Sequence, residues 1–162
     1  MITLRTMEKA DATILENFLS RESEAFMNQW GGGRWYRYPV TAAQILGVMA
    51  ARSANTMYFM IINDGVAVGS VELDFIDLIQ KKCTVCRFLI AGEYRSKGLG
   101  EQSLRAIVRL AFETLDMKTI QLSVFDFNTA AIRCYEKLGF AKIAQETRSN
   151  GWIAHKMELK KP

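Results

Sequence analysis

The hydrophobic period of the chain changes abruptly at Arg95-Ser96-Lys97-Gly98-Leu99-Gly100. Before this hexapeptide, residues 82–91 (KCTVCRFLIA) are rich in β-branched and aromatic side chains and read as a strand. After it, residues 99–115 set Leu104, Ile107, Val108, Ala111 and Leu115 on one side of a helix. A strand-to-helix corner with two glycines and two cations is either a tight turn or a cradle for an anion. A helix start presents N–H groups with no partner inside the helix, and its dipole puts partial positive charge there. Glycine lets that backbone come close to a ligand, and Arg95 and Lys97 add full charge. The combination suits phosphate, most naturally a pyrophosphate.

Gly-x-Gly by itself is a common turn. The phosphate loop of NTPases needs four residues between its glycines and a following Gly-Lys-Ser/Thr, which this corner lacks. A dinucleotide fingerprint belongs in a βαβ unit of a parallel sheet. Here the strands before the corner read as an antiparallel meander. Residues 56–62 and 66–77 flank Asn63-Asp64-Gly65, a hairpin signal.

The remaining pattern completes the architecture. Residues 2–7 alternate like a strand, and residues 10–20 place Ile14, Leu15, Phe18 and Leu19 on one helical face. Residues 21–40, with Trp30, Gly31-Gly32-Gly33, Trp35, Tyr36 and Tyr38, read as a loop crowded with aromatics. Thr41 and Gln44 match a capping box that opens a helix over 42–53. Residues 119–125 alternate as a strand, 128–140 form a helix running into a strand, and Asn150-Gly151 marks a closing hairpin. The expected fold class is α/β (α+β): a mixed, largely antiparallel sheet of six to seven strands with helices on both faces.

Residues 1–162 make one domain, long enough to bury a core without staples. Three cysteines and a start without a basic block and apolar run point to reduced thiols in the cytoplasm. No apolar run reaches the roughly 20 residues that span a bilayer. A net charge of +4 suits an anionic ligand and is too small to imply nucleic acid. Neither a nucleic-acid nor a membrane partner is expected.

Arg95-x-x-Gly98-x-Gly100, followed by Asn128-x-x-Ala131-Ile132-x-x-Tyr135-Glu136-Lys137-Leu138-Gly139-Phe140, resembles the GNAT superfamily of acyl-CoA-dependent N-acetyltransferases. The nearest branch holds the ribosomal-protein and spermidine acetyltransferases. The resemblance is dense over residues 66–140 and implies a GNAT-like acyl-CoA acyltransferase fold. It implies acetyl-CoA as co-substrate, lying where two parallel strands ending near Ala91 and Phe125 splay apart. The backbone of Leu89, Ile90 and Ala91 would then bond the pantetheine arm and the thioester carbonyl. The N–H groups of Arg95, Ser96, Lys97, Gly98, Leu99 and Gly100 would hold the pyrophosphate. Asn128 and Tyr135, seven apart, share a helical face. Asn128 reads as an N-cap that also touches the cofactor. Tyr135 reads from its surroundings as a core tyrosine, and the resemblance makes it the general acid for the departing thiolate.

Acetyl transfer also needs the amine deprotonated and the tetrahedral oxyanion stabilised by donors already in place. Many family members carry a glutamate about ten residues ahead of the corner arginine. This chain has Thr84-Val85-Cys86-Arg87 there instead. Glu72, which shares a strand face with Asp74, is the candidate base, against the alternative of a solvated face. His155 is a second candidate. Cys83 and Cys86 fall on opposite faces of a strand and have no second pair, so no metal is expected. The aromatic segment 30–38 is either a wall of the acceptor pocket or a plain hydrophobic cover, and Glu22 and Glu24 would suit a cationic acceptor.

These features describe an N-acetyltransferase acting on a primary amine, either a small molecule or a protein N-terminus, by direct attack in a ternary complex. The alternative is an acyl-CoA-binding sensor or interaction module with little catalysis. The closing hairpin would serve a homodimer. A valine at Gly98 should block the pyrophosphate and leave the unliganded fold largely intact.

Overall fold

A computed structural model describes residues 1–31, 35–52 and 54–162. Gly32 and Gly33 of the triple glycine lie outside the described residues. The elements run β1 (Ile2–Thr6), α1 (Asp11–Leu19), α2 (Glu24–Gly31), α3 (Ala42–Ala51), β2 (Met57–Asn63), β3 (Val66–Asp77) and β4 (Lys82–Ile90). After the corner come α4 (Leu99–Arg109), β5 (Thr119–Phe125), α5 (Thr129–Lys137), β6 (Ala141–Thr147) and β7 (Ile153–Lys160). One seven-stranded sheet forms in the order β1-β2-β3-β4-β5-β7-β6. Among the described residues its one parallel pair is β4 with β5.

The alternation of β2 explains why helices cover both faces. Phe59 and Ile61 point into a core shared with Leu73, Ile107 of α4 and Ile132 of α5. Tyr58 and Met60, one residue out of phase, meet Leu15 of α1, Ile45 of α3 and Trp30 of α2. Each fully buried aliphatic side chain of this kind contributes about 1.5–3 kcal/mol.

The structure departs from the sequence pattern at four places. Residues 21–40 are not one loop, because α2 forms inside them. The Ser23 hydroxyl accepts from Phe26 N (3.1 Å), the Ser23 carbonyl accepts from Met27 N (3.0 Å), and Met27 and Trp30 are buried. Its apolar stripe is too short to show as a period. The helix after the corner stays α-helical only to Arg109 and then widens into a π-helical turn over Leu110–Thr114, which seats Ala111 and Phe112 in the core. Half of the capping box forms. Thr41 Oγ1 accepts from Gln44 N (3.2 Å), whereas the Gln44 amide turns outward to Arg37 N (2.9 Å) and the Pro39 carbonyl (3.0 Å). Phe75 leaves the core row of Val71 and Leu73. The β3–β4 register shifts between Asp74 and Asp77, Phe75 takes φ +51°, and its ring stands in solvent.

The entry to α1 is held by charge rather than by a capping side chain on Ala10. Arg5 of β1 donates two bonds to buried Asp11 (2.8 and 2.9 Å), which also accepts from Glu8 N (2.7 Å). The Arg5 hydrogen bond is the largest influence holding the Asp11 carboxyl below its ordinary value of 3.8. Its stabilisation is therefore present above that value and is lost as pH falls through the depressed folded value. Asp11→Asn should cost about 1.5–3 kcal/mol at pH 7 in urea unfolding, with the gap to the parent closing in acid.

Candidate active site

Strands β4 and β5 pair only from Lys82↔Thr119 to Val85↔Leu122, although β4 runs on to Ile90 and β5 to Phe125. A bulge accompanies the separation. Glu72 faces Cys86 and Ser70 faces Leu89, so two β4 residues, Arg87 and Phe88, oppose Val71 alone. Arg87 sits at φ +45°, and such an extra residue bends a strand away from its neighbour. The Trp30 indole of α2 donates to the Arg87 carbonyl (3.1 Å), which supplies the bulge with a partner.

The resulting cleft holds about 970 Å³. Tyr135 and Asn128 from the α5 side line it, as do Trp30 and Asp74 from the opposite face, so it cuts through the sheet. The Asn128 side chain caps α5 by accepting from Ala131 N (3.3 Å). The Tyr135 ring leans on Phe140 at 5.8 Å between centroids. Burial pushes the Tyr135 phenol well above its ordinary value, so it stays protonated at neutral pH.

The edge of β4 beyond the bulge is read from its hydrogen bonds. Ala91 N donates to the Val68 carbonyl of β3 (2.9 Å). Strand groups alternate in direction, so the N–H and C=O of Ile90 point away from β3, toward β5. The Ile90 carbonyl accepts from Arg95 Nε (2.8 Å). Gly69 lets β4 lie this close, since a Cβ there would sit 2.0 Å from the Leu89 carbonyl oxygen.

At the corner, Ser96 (φ +59°) and Gly98 (φ +74°) are left-handed. The first turn of α4 closes with Gln102 N on the Gly98 carbonyl (3.2 Å), so the N–H groups of Leu99, Gly100 and Glu101 precede any intrahelical bond. The two cations are already engaged. Arg95 pairs with Glu22 (2.5 Å) and lies over the Phe26 ring at 4.8 Å, while Lys97 Nζ donates to the Glu93 carbonyl (3.0 Å). The left-handed Gly98 also revises the substitution considered from sequence. Valine there would strain the corner itself, so the unliganded variant should be less stable than the parent.

Glu72 and Asp74 do share a face, and it is buried rather than solvated. Two arginines, each with a side chain only 10% exposed, close a quartet with them. Arg87 contacts Glu72 at 2.6 Å and Asp74 at 3.4 Å, and Arg52 reaches Glu72 at 3.6 Å and pairs with Asp74. Asp74 accepts further bonds from Thr56 Oγ1 (2.8 Å) and Phe75 N (2.7 Å). Burial raises the Glu72 pKa, opposed by its hydrogen bond to Arg87. Arg52, Asp74 and Arg87 line the cleft in front of Glu72.

Other candidates fall elsewhere. His155 faces opposite to its neighbour Ala154, which lines the cleft. Burial pushes the Cys86 thiol up to about 12 and the Cys83 thiol up to about 11, so neither is a thiolate at neutral pH. No cluster of three metal-ligating side chains occurs among the described residues. The sequence reading overlooked Arg52 and the ring cluster of Phe125, Phe127 and Trp152, whose centroids lie 5.0–5.5 Å apart. Arg87 was the one visible clue, a charge in the middle of a strand whose other charge, Lys82, is its first residue.

Residues 15–140 match the profile of the acetyltransferase (GNAT) family. The chain belongs to the GNAT family. The chain is 31% identical to an aminoglycoside N(6')-acetyltransferase type 1 from Klebsiella pneumoniae, across 93% of its own length and 79% of the relative's. A spermine/spermidine N(1)-acetyltransferase of Bacillus subtilis is 43% identical over 33% of this chain and 36% of that protein. Spermidine N-acetyltransferase from Vibrio cholerae, solved with CoA and spermine, superposes with a TM-score of 0.84 at 19% identity, covering 98% of this chain and 95% of that one. This GNAT protein is an N-acetyltransferase, and the fold it shares is one that binds acetyl-CoA and moves the acetyl group to an amine. Among its described residues no helix is long and apolar enough to cross a membrane.

Proposed function

We propose that this chain transfers acetyl directly from bound acetyl-CoA to a small-molecule primary amine in a ternary complex, with Tyr135 as general acid. The observation that carries the proposal is the split between β4 and β5, with a protonated phenol in its wall. The N–H groups from Ser96 to Gly100 take the pyrophosphate, the Arg95 N–H being held by the Gly92 carbonyl (3.2 Å), and the pantetheine runs along the β4 edge at Ile90, since the Ala91 N–H is spent on Val68. Asn128 borders the same channel. As the amine nitrogen attacks, the thioester carbonyl becomes an oxyanion, and the Ile90 N–H is the donor aimed at it. The N–C bond forms, the C–S bond breaks, and the sulfur takes the Tyr135 proton, which solvent restores. The proton leaving the amine passes to cleft water, because Glu72, the base expected from sequence, lies behind Arg52, Asp74 and Arg87 and does not line the cleft. The acceptors named for the relatives, aminoglycosides and spermine, favour a small amine over a protein terminus.

Gly100 offers a clean test of the cradle. It has no atom within 4 Å of a would-be Cβ and no left-handed backbone, so the fold does not require glycine there. Gly100→Leu should keep or slightly raise the melting temperature of the unliganded protein, because leucine is the better helix former by about 1 kcal/mol. It should abolish the further rise that CoA produces. An undiminished CoA-induced shift would remove the pyrophosphate from this corner. Release of CoA thiol across an amine panel tests the transfer itself.

A further inference from the structure

Resting on this acetyl-transfer reading, we infer that the acceptor carries a single positive charge, on the reacting amine, and an aromatic or apolar body; the cleft is not built for a polycation. A polyamine or aminoglycoside must desolvate several ammonium groups, and each needs a carboxylate to offset that cost. Among the described residues, the only carboxylate lining the cleft is Asp74, and the same lining holds three arginines, Arg52, Arg87 and Arg148.

Asp74 is not free to serve a second cation. One of its oxygens accepts from Thr56 Oγ1 and Phe75 N, and the other from Arg52 and Arg87. The quartet that contains it, two arginines with Glu72 and Asp74, sums to zero charge. Arg148 is paired with Glu146 at 2.9 Å. An additional ammonium entering beside the reacting one would lose its water and find every nearby carboxylate already paired with a guanidinium, so nothing offsets its desolvation. Glu22 gives no relief, since it is paired with Arg95.

The rings give the cleft its apolar wall. Trp35 is already covered by the Arg52 guanidinium at 4.3 Å, and Phe26 by Arg95 at 4.8 Å. Phe125 and Trp152, edge to face at 5.0 Å, line the β5 bank of the cleft opposite Trp30. Phe127 stacks behind Phe125 at 5.5 Å and fixes its tilt. Such a wall gains by burying an apolar body, and an aromatic guest would present ring edges to ring faces.

The test measures CoA thiol release with saturating acetyl-CoA and four acceptors: phenethylamine, tyramine, spermidine and kanamycin. The two aromatic monoamines should exceed both polycations in kcat/KM by about tenfold or more, the scale on which an apolar pocket discriminates. Trp152→Ala should raise the KM for phenethylamine by about tenfold and leave the KM for acetyl-CoA unchanged. Equal or better use of spermidine or kanamycin overturns the inference while leaving acetyl transfer standing. An unchanged phenethylamine KM in Trp152→Ala overturns it as well. Failure of all four amines to release thiol, in a protein that CoA still stabilises, strikes the transfer reading, and the inference falls with it.

Discussion

Tyr135→Phe should lower kcat by about 10²- to 10⁴-fold, the range a positioned general acid supplies. The substitution removes one oxygen and keeps the ring that packs on Phe140, so the melting temperature should stay near that of the parent. The loss should depend on pH in a way that packing damage would not. A thiol of ordinary acidity titrates near pH 8.5, so below that value the departing sulfur gains most from a proton and the variant should be slowest. Above it the thiolate leaves more readily on its own, and the two enzymes should converge. The parent should show no loss of activity from ionisation of this phenol through neutral pH, because burial keeps it protonated. A Tyr135→Phe variant that tracks the parent at every pH would remove the hydroxyl from the chemistry.

Arg87→Met should destabilise the fold by about 3–5 kcal/mol, since it leaves Glu72 with a poorer partner inside the protein. Arg87 is the closest cation to Glu72, at 2.6 Å, and Arg52 stands a full ångström farther away. Burial already raises the Glu72 pKa above its ordinary 4.5, and loss of the guanidinium raises it further. A carboxyl with a raised folded value contributes stability in its protonated form, below the unfolded value, and loses it as pH climbs through the folded value. The variant should therefore be closest to the parent in acid and fall behind as pH rises past 4.5. Adding Glu72→Gln should recover part of the loss, because it deletes the stranded charge. Urea unfolding of both variants from about pH 4 to 8, the span over which the raised carboxyl titrates, measures this. A single variant equal to the parent at neutral pH would show that the quartet is not coupled as its geometry requires.

These two sites differ in how far they could be read from the chain. Tyr135 and Asn128 stand seven residues apart in one helix, and the corner glycines mark a helix start, so local spacing places them without reference to anything distant. The same is true of the strand periods that specify the meander, whereas the parallel pairing of β4 with β5 was expected only from the family resemblance. The quartet is another matter. Arg52 ends α3 and Arg87 sits in a bulge, and neither position has a local pattern that points to Glu72. The aromatic bank joins β5 to the hairpin after β6, again across the chain rather than along it.

Periodicity and turn chemistry are properties of neighbouring residues, so the strand and helix sequence, the hairpins, the helix faces and the phosphate-sized corner were present in the amino-acid order itself, whereas the placing of β7 between β5 and β6 was not. Which charges neutralise one another, which rings remain open and where two strands separate depend on contacts made only when remote segments meet in a low-dielectric interior. A polar side chain's partner there is selected by the cost of leaving it unpaired, and that cost arises only once the fold has closed around it.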